Sequence, residues 1–259
     1  MNANAPQRIV CLSAEAADWL WRIGAWERVA GTTAFFKIPP EVPPKPRISG
    51  FSTAQFDEIA DLQPDLIITF SDVQAPLAAE LMRRGLAVLA TNQRTLAEIE
   101  ATLALLGRIV GCEAEAEGWL NEFRQRLQPI EKVKFRPRVY FEEWNDPLIA
   151  GIAWVSELIE RAGGEDIFAD LHSKRAASER VVSPQEVFRR NPDIILASWC
   201  GRRVRIKDIA ARPGWEKLPA VRDNHIHEIA GDDILQPGFR LVHGYEQIKR
   251  CLVSHRSIH

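Results

Sequence analysis

The longest regular alternation of apolar and polar residues in the chain runs from Glu113 to Val133. Apolar side chains recur there at every third or fourth position, at Ala116, Leu120, Phe123, Leu127 and Ile130. Such spacing places them on one face of an α-helix. The pattern therefore predicts a helix over residues 113–133, long enough to cross a small domain.

The sequence on one side of this helix resembles the sequence on the other side. Phe56–Thr69 aligns with Pro184–Ala197, and shorter echoes pair Arg8–Val10 with Arg138–Tyr140 and Trp19–Val29 with Glu157–Ile167. The first pair of segments is identical at Glu58/Glu186, Pro64/Pro192, Asp65/Asp193 and Ile67/Ile195. Matched segments in the same order imply two similar lobes. We predict an N-terminal lobe over residues 1–112, a linking helix over 113–133 and a C-terminal lobe over 134–259.

Short apolar runs and amphipathic segments alternate along both halves. The runs predict strands over Arg8–Leu12, Leu66–Phe70, Ala87–Ala90, Arg138–Glu142, Ile194–Ser198 and His225–Ile229. Helices are predicted over Ala14–Val29, Phe56–Leu62, Ala75–Arg84, Leu96–Val110, Ala153–Arg161, Pro184–Arg190, Ile206–Ala211 and Gly244–Leu252. Proline-rich Thr32–Gly50 is predicted to be an extended loop. The alternation predicts an α/β fold, with two doubly wound parallel-sheet lobes joined by a single long α-helix and a ligand cleft between the lobes.

Composition and charge exclude several classes of protein. The chain is 46% hydrophobic and 26% charged, as expected of a globular protein, and its net charge of −2 offers no basic field for nucleic acid. No apolar run approaches the about 20 residues of a membrane span. The start lacks the pattern of an export signal, which predicts a cytoplasmic protein, or a periplasmic one if this start belongs to a trimmed mature form. We expect a monomer.

Candidate binding residues follow the predicted strands. Ligands of doubly wound lobes gather at the carboxyl ends of the strands, and aromatic side chains there favour a large, flat, partly apolar ligand. The candidates are Phe36, Phe51, Phe70, Asp72, Trp144, Trp154, Trp199 and Arg202. Packing between the lobes is the alternative role for the aromatic residues. Arg202 would pair with carboxylate or phosphate groups of the ligand.

Catalytic and metal-binding motifs are absent from the sequence. Cys200 lies beside arginines but has no histidine placed to act as its base. The His225 and His227 pair is more typical of a solvated edge strand than of a metal site. The four cysteines lack metal-ligand spacing and are predicted to be free thiols. We therefore predict a non-catalytic binding protein that requires neither metal nor cofactor.

Several motifs resemble one known family, the helical-backbone (class III) substrate-binding proteins of ABC importers, and most closely their vitamin B12-binding branch. The motifs are FDEIADLQPDLIIT, AGGEDIF, SPQEVFRRNPDIIL, and RPGWEKLPAVRDNHIHEI leading to QPGFR. The resemblance runs from Arg8 to about Leu252 and implies binding of cobalamin or another corrinoid. Phe51 and Phe70 fall at cleft tryptophans of that branch, and Trp144 falls near a cleft phenylalanine.

The resemblance also implies contact with an ABC transporter permease. Asp57 matches an acidic residue that docks on permease arginines, whereas the second lobe has Gln185 at that place and Glu186 beside it. The branch's disulfide is missing, because Ala162 replaces one cysteine and leaves Cys251 unpaired. These departures fit a cytoplasmic corrinoid-binding relative. The alternatives are an iron–siderophore or haem binder of the same family, the latter needing an axial histidine or tyrosine, and a two-lobed cytoplasmic enzyme of unknown reaction.

Overall fold

The computed structural model describes residues 5–131 and 133–256, which form two compact units. The first unit comprises the residues up to 93 together with 97–123, and the second comprises 94–96 together with the residues from 124 onward. Lys132, within the predicted linking helix, lies outside the described residues. The assignment of residues 113–133 as the linking segment stays a prediction.

A five-stranded parallel sheet forms the centre of the first unit. Its strands are β1 (Ile9–Cys11), β2 (Val29–Thr33), β3 (Arg47–Ser49), β4 (Leu66–Phe70) and β5 (Val88–Thr91), in the spatial order β3-β2-β1-β4-β5. The helices of this part of the chain are α1 (Ala14–Arg22), α2 (Phe56–Asp61), α3 (Ala75–Arg83), α4 (Leu96–Ile109) and α5 (Glu113–Arg126). The chain winds outward from β1 through β2 and β3 and then returns to β4 on the other side of β1. This is the predicted doubly wound topology, with its switch point between β1 and β4.

The second unit contains a mixed sheet. Its strands are β6 (Arg138–Asn145), β7 (Leu148–Ala150), β8 (Glu165–Asp166), β9 (Ile194–Ala197) and β10 (Ile226–Glu228). The order is β10-β9-β6-β7, with β8 also paired to β6. Its helices are α6 (Ala153–Arg161), α7 (Pro184–Arg190), α8 (Ile206–Ala210), α9 (Pro219–Arg222), α10 (Gly231–Ile234) and α11 (Leu241–Arg256). Only the β6–β7 pair is antiparallel among the described pairs. The sequence analysis missed this hairpin because β7 is too short to show a period.

The internal repeat folds in the same way in both units. In each unit a short helix, α2 or α7, leads through a tight turn into a central strand, β4 or β9. The residue before the shared proline has a left-handed backbone in both, at Gln63 (φ 47°) and Asn191 (φ 46°).

The aspartate after that proline explains why the repeat retains a Pro-Asp pair. Asp65 accepts a hydrogen bond from the Arg8 N–H at 2.9 Å, and its own N–H donates to the Arg8 carbonyl at 3.0 Å. Asp193 does the same with Arg138, at 2.8 Å for both bonds. Each aspartate therefore fixes the start of one central strand against the start of its neighbour.

Two predicted segments between β1 and β4 were wrong. The predicted helix Ala14–Val29 ends at Arg22, because Gly24 adopts a left-handed conformation (φ 76°) and its N–H donates to the Trp21 carbonyl at 3.1 Å. Glycine is favoured at this position beyond a helix because it has no Cβ. The predicted loop Thr32–Gly50 contains the end of β2 and all of β3. The prolines lie between these strands and so do not interrupt the sheet.

Helix α5 is shorter than predicted. The predicted apolar face is confirmed at Ala116, Leu120 and Phe123, which are all buried. The helix ends at Arg126 instead of continuing to residue 133. Pro129 accounts for this end, because a proline disfavours helical backbone in the residue before it.

All four cysteines are free thiols in this structure: Cys11, Cys112, Cys200 and Cys251. Burial, with a smaller contribution from the nearby Glu15 carboxylate, raises the pKa of the Cys11 thiol. Because thiolate is the reactive form, we expect Cys11 to resist alkylation in the native protein. Counting thiols in denaturant without reductant should give four free groups. Fewer groups would contradict the free-thiol assignment, and rapid native labelling of Cys11 would contradict its burial.

Candidate functional site

Two exposed aromatic side chains lie at the carboxyl edge of the first unit's sheet. Phe35 follows β2 and is 41% exposed, and Phe51 follows β3 and is 42% exposed. Their ring centroids are 6.4 Å apart with perpendicular planes, which is a favourable edge-to-face contact. Val73, after β4, is also exposed. We call these three exposed residues, Phe35, Phe51 and Val73, the first-unit apolar surface.

The two other phenylalanines proposed for this unit are buried. Phe36 is 4% exposed and packs its ring 5.6 Å from the ring of Trp26. Its neighbour Phe35 therefore presents the exposed ring, a residue that the sequence analysis did not select. Phe70, the last residue of β4, is 7% exposed. The only sequence signal for Phe35 is its place after the strand β2, which was itself missed.

A strained turn follows β4. Ser71 has φ 69° and ψ 162°, a backbone region that is almost exclusive to glycine. Its Oγ accepts a hydrogen bond from the Val73 N–H at 3.2 Å. The turn directs exposed Asp72 and Val73 outward and buries Gln74. Strain of this kind is typical of ligand-binding segments, where the surrounding structure holds it in place.

An arginine lies over a tryptophan ring at the carboxyl edge of the second unit's sheet. The Arg202 guanidinium carbon is 5.4 Å from the centroid of the half-buried Trp144 ring, near the end of β6. The turn after β9 brings it there, since the Arg202 N–H donates to the Trp199 carbonyl at 3.1 Å and Gly201 has φ 69°. Arg202 is exposed and is in no ion pair among the described residues. This Trp144–Arg202 pair offers an aromatic face and a cation for an anionic group.

Trp199 and Trp154 are interior residues of the second unit. Trp199 is 2% exposed, belongs to the unit's hydrophobic core, and donates from Nε1 to Glu142 Oε1 at 3.1 Å. Trp154, also 2% exposed, donates from Nε1 to the Ile234 carbonyl at 2.8 Å. Both indoles thus have partners inside their own unit.

The Glu142 carboxylate lies beneath Trp199 and is fully buried. Arg212 binds both of its oxygens, with Nη2 to Oε1 at 2.9 Å. A buried charge requires such a partner. Because Arg212 holds the Glu142 carboxylate in place, the carboxylate in turn fixes the position of the Trp199 indole.

The two predicted docking residues differ in their surroundings. The Asp57 side chain is 96% exposed and contacts Arg84 at 2.8 Å. Glu186 is bound by Arg189 and Arg190 of its own helix, which lower the pKa of its carboxyl to about 2. Its charge is therefore compensated by two arginines, whereas the almost fully exposed Asp57 carboxylate has one arginine partner, Arg84.

Three further observations concern metal binding, membrane-spanning helices and the tyrosine side chains. Over residues 5–131 and 133–256, no group of three or more His, Cys, Asp or Glu side chains is arranged to hold a metal ion. None of the helices in the described part of the chain combines the length and the apolar character needed to cross a bilayer. Tyr140 and Tyr245 are both fully buried.

Comparison with known proteins identifies the class. The periplasmic binding protein family matches residues 9–232, and the chain belongs to this family. It is a solute-binding protein of the ABC importer type, a family whose members bind small molecules and serve permeases. Members of the family are substrate-binding proteins, not enzymes.

Individual relatives cover almost the whole chain. A vitamin B12-binding protein of Vibrio parahaemolyticus is 25% identical, over 96% of this chain and 93% of its own. The structure of a periplasmic vitamin B12-binding protein of Vibrio cholerae superposes with a TM-score of 0.74 at 23% identity, over 97% and 98% of the two chains. A periplasmic haem-binding protein from Roseiflexus gives 0.79 at 20% identity, over 96% and 98%. These structural likenesses show the shared fold.

Proposed function

We propose that the protein binds cobalamin or another corrinoid without altering it, for delivery to an ABC importer. The observation that carries the proposal is the pair of exposed aromatic surfaces at the carboxyl edges of the two sheets. One is the first-unit apolar surface of Phe35, Phe51 and Val73. The other is the Trp144–Arg202 pair. A corrinoid has a broad apolar ring face and a polar rim, and the two surfaces suit these two parts.

Support for the corrinoid over other flat ligands comes from the relatives. The vitamin B12-binding protein of Vibrio parahaemolyticus aligns over nearly its full length. Phe51, Phe70 and Trp144, which the motif resemblance selects, lie at or beside the two surfaces. The ligand itself supplies any cobalt chemistry, so we propose no separate cofactor.

The proposed site residues divide into contacts and supports. Phe51, Trp144, Asp72 and Arg202 are exposed or half-buried and are proposed to contact the ligand, with Phe35 added to them. Phe36, Phe70, Trp154 and Trp199 are buried, and we propose that they hold the contacting loops in place. Trp199 does so for the turn that carries Arg202.

We further propose that Asp57 contacts the permease through its exposed carboxylate, with Glu186 in a lesser role because two arginines already bind it. Asp57→Asn should then leave ligand affinity unchanged and weaken stimulation of a reconstituted transporter.

The family favours the periplasmic alternative of the two locations considered. We propose that the protein is a monomer.

A haem binder of the same family is the second candidate, because a haem-binding structure superposes closely. A haem binder needs an axial side chain such as histidine or tyrosine to hold the iron. Tyr140 has no exposed surface, and the Tyr245 hydroxyl donates to the carbonyls of Gln128 and Arg161 at 2.7 and 3.0 Å. Neither tyrosine is available to iron, and the candidate contact residues include no histidine, which favours the corrinoid.

Quenching of tryptophan fluorescence distinguishes these ligands. Cyanocobalamin, dicyanocobinamide, haemin and a ferric siderophore should be titrated separately, with free tryptophan as the control for inner-filter absorption. We expect saturable quenching by the corrinoids, because Trp144 would lie against the ring. Saturation by haemin or siderophore alone would replace the corrinoid with that ligand.

A further inference from the structure

The side chain of Gln74 joins three loops at the carboxyl edge of the first unit. Its Oε1 accepts a hydrogen bond from the Phe70 N–H at 2.9 Å. Its Nε2 donates to the Leu12 carbonyl at 3.0 Å and to the Phe51 carbonyl at 2.8 Å. Leu12, Phe51 and Phe70 lie at the ends of β1, β3 and β4 respectively. Gln74 is only 1% exposed, so its carboxamide is enclosed by the loops that it joins.

The Gln74 carboxamide takes the place of one backbone hydrogen bond between the strands β1 and β4. The Leu12 N–H donates to the Ile68 carbonyl at 2.8 Å, and the next bond of a parallel ladder would run from the Phe70 N–H to the Leu12 carbonyl. In its place the Gln74 side chain lies between these two groups and bonds to both. The strands β1 and β4 can therefore separate by the width of an amide without leaving either group unpaired.

The Gln74 carboxamide lies between β1 and β4, at the switch point of the sheet. The chain leaves β1 toward β2 on one side and returns to β4 on the other, so the loops after β1 and β4 diverge there. Ligands of doubly wound sheets bind where such loops diverge. The strained turn at Ser71 brings Gln74 back into this opening, four residues after β4 ends.

We propose that Gln74 is a positioning residue of the ligand site, which holds the Phe51 loop and the β4 turn in their binding arrangement before the ligand arrives. The inference rests on the proposed function for the identity of the ligand. Gln74 does not itself touch the ligand, because it is enclosed. It acts through Phe51, whose carbonyl it binds and whose exposed ring contacts Phe35. A preformed surface of this kind increases affinity by lowering the ordering cost of binding.

Two substitutions separate the functions of the carboxamide. Gln74→Met keeps the length of the side chain and removes all three hydrogen bonds. Gln74→Glu keeps an acceptor for the Phe70 N–H and places an oxygen against the carbonyls of Leu12 and Phe51. Leu81→Ala is the control, since Leu81 is fully buried in the core of the same unit and has no contact with these loops through hydrogen bonds.

The first measurement is amide hydrogen exchange without ligand. We expect exchange of the Phe70 N–H to accelerate by about tenfold or more in Gln74→Met, and to stay near the wild-type rate in Gln74→Glu. The Leu12 N–H, whose bond to Ile68 is retained, is the internal reference. Unchanged exchange at Phe70 in Gln74→Met would overturn the proposal, whether or not a ligand for the wild type has been found.

The second measurement is cyanocobalamin affinity, set beside the melting temperature. Both Gln74 variants should lose about tenfold or more in affinity, while Leu81→Ala loses melting temperature with affinity within about twofold of wild type. If both Gln74 variants keep wild-type affinity, Gln74 is a structural residue only. If wild type binds no corrinoid, the proposed function fails, and the exchange experiment alone decides whether Gln74 holds the loops.

Discussion

Replacing Arg212 with methionine is expected to lower the free energy of unfolding of the second unit by about 3–5 kcal/mol. Arg212 binds both oxygens of Glu142, a carboxylate with no exposed surface. Removing the guanidinium leaves that charge buried without a cation, although the Trp199 indole N–H still donates to it. The cost is therefore that of an uncompensated buried charge and far exceeds the value of an exposed ion pair. Chemical denaturation followed by circular dichroism measures it.

Two comparisons make this expectation specific. Arg83→Met removes an arginine from an exposed pair with Glu80, and should leave the free energy of unfolding almost unchanged. Adding Glu142→Leu to Arg212→Met removes the stranded charge and should restore most of the lost stability. If Arg212→Met and Arg83→Met lower the free energy of unfolding by the same small amount, the buried ion pair does not stabilise the second unit as expected.

The second large effect is expected on binding: Trp144→Ala should weaken cyanocobalamin affinity by about 2 kcal/mol, the scale of a hot-spot aromatic residue. This corresponds to about a 30-fold rise in Kd. The change removes the aromatic ring that is proposed to contact the ligand, together with the cation–π contact between that ring and the Arg202 guanidinium. Trp144→Phe should retain much of the affinity, because it keeps a ring face at the same place. Isothermal calorimetry is the suitable measurement, since the substitution also removes a fluorophore.

Trp119 provides a matched control within the same chain. It is half-buried like Trp144, donates its indole N–H to the Arg22 carbonyl at 2.8 Å, and has the Arg22 guanidinium carbon 5.3 Å from its ring centroid. It lies on α5 against Arg22, the last residue of α1, whereas β1 ends just before the first residue of that helix. Trp119→Ala should therefore leave affinity unchanged. Equal losses in Trp119→Ala and Trp144→Ala would show a general effect of losing a tryptophan, against the proposed site.

The sequence was informative where one periodic signal dominated. The Pro-Asp repeat predicted a helix, turn and strand in both halves, because the same aspartate-to-backbone bonds operate at Asp65 and Asp193. It was uninformative for β2 and β3, because neither Val29–Thr33 nor Arg47–Ser49 is a continuous apolar run and the prolines between them suggested a loop. Helix α5 was overextended because apolar spacing continues past Arg126, although Pro129 stops the helix.

For the site, the sequence predicted which strand ends carry aromatic residues, but it did not predict which rings face outward. Phe35 and Phe36 are adjacent and chemically identical, and only the path of β2 decides that Phe36 packs on Trp26. Gln74 was missed for another reason. A glutamine at the start of a helix carries no motif, and its three hydrogen bonds join segments that are distant in the chain. Its burial is what distinguishes it from other glutamines, and that burial is set by the tertiary fold, not by the local sequence.

The most direct test of the proposed function is calorimetric titration of the wild-type protein with cyanocobalamin, followed by chromatography of the recovered ligand. We expect saturable binding of one ligand per chain and recovery of the corrinoid chemically unchanged. Absence of saturable heat with both cyanocobalamin and dicyanocobinamide would contradict corrinoid binding, and recovery of a modified corrinoid would contradict a non-catalytic role.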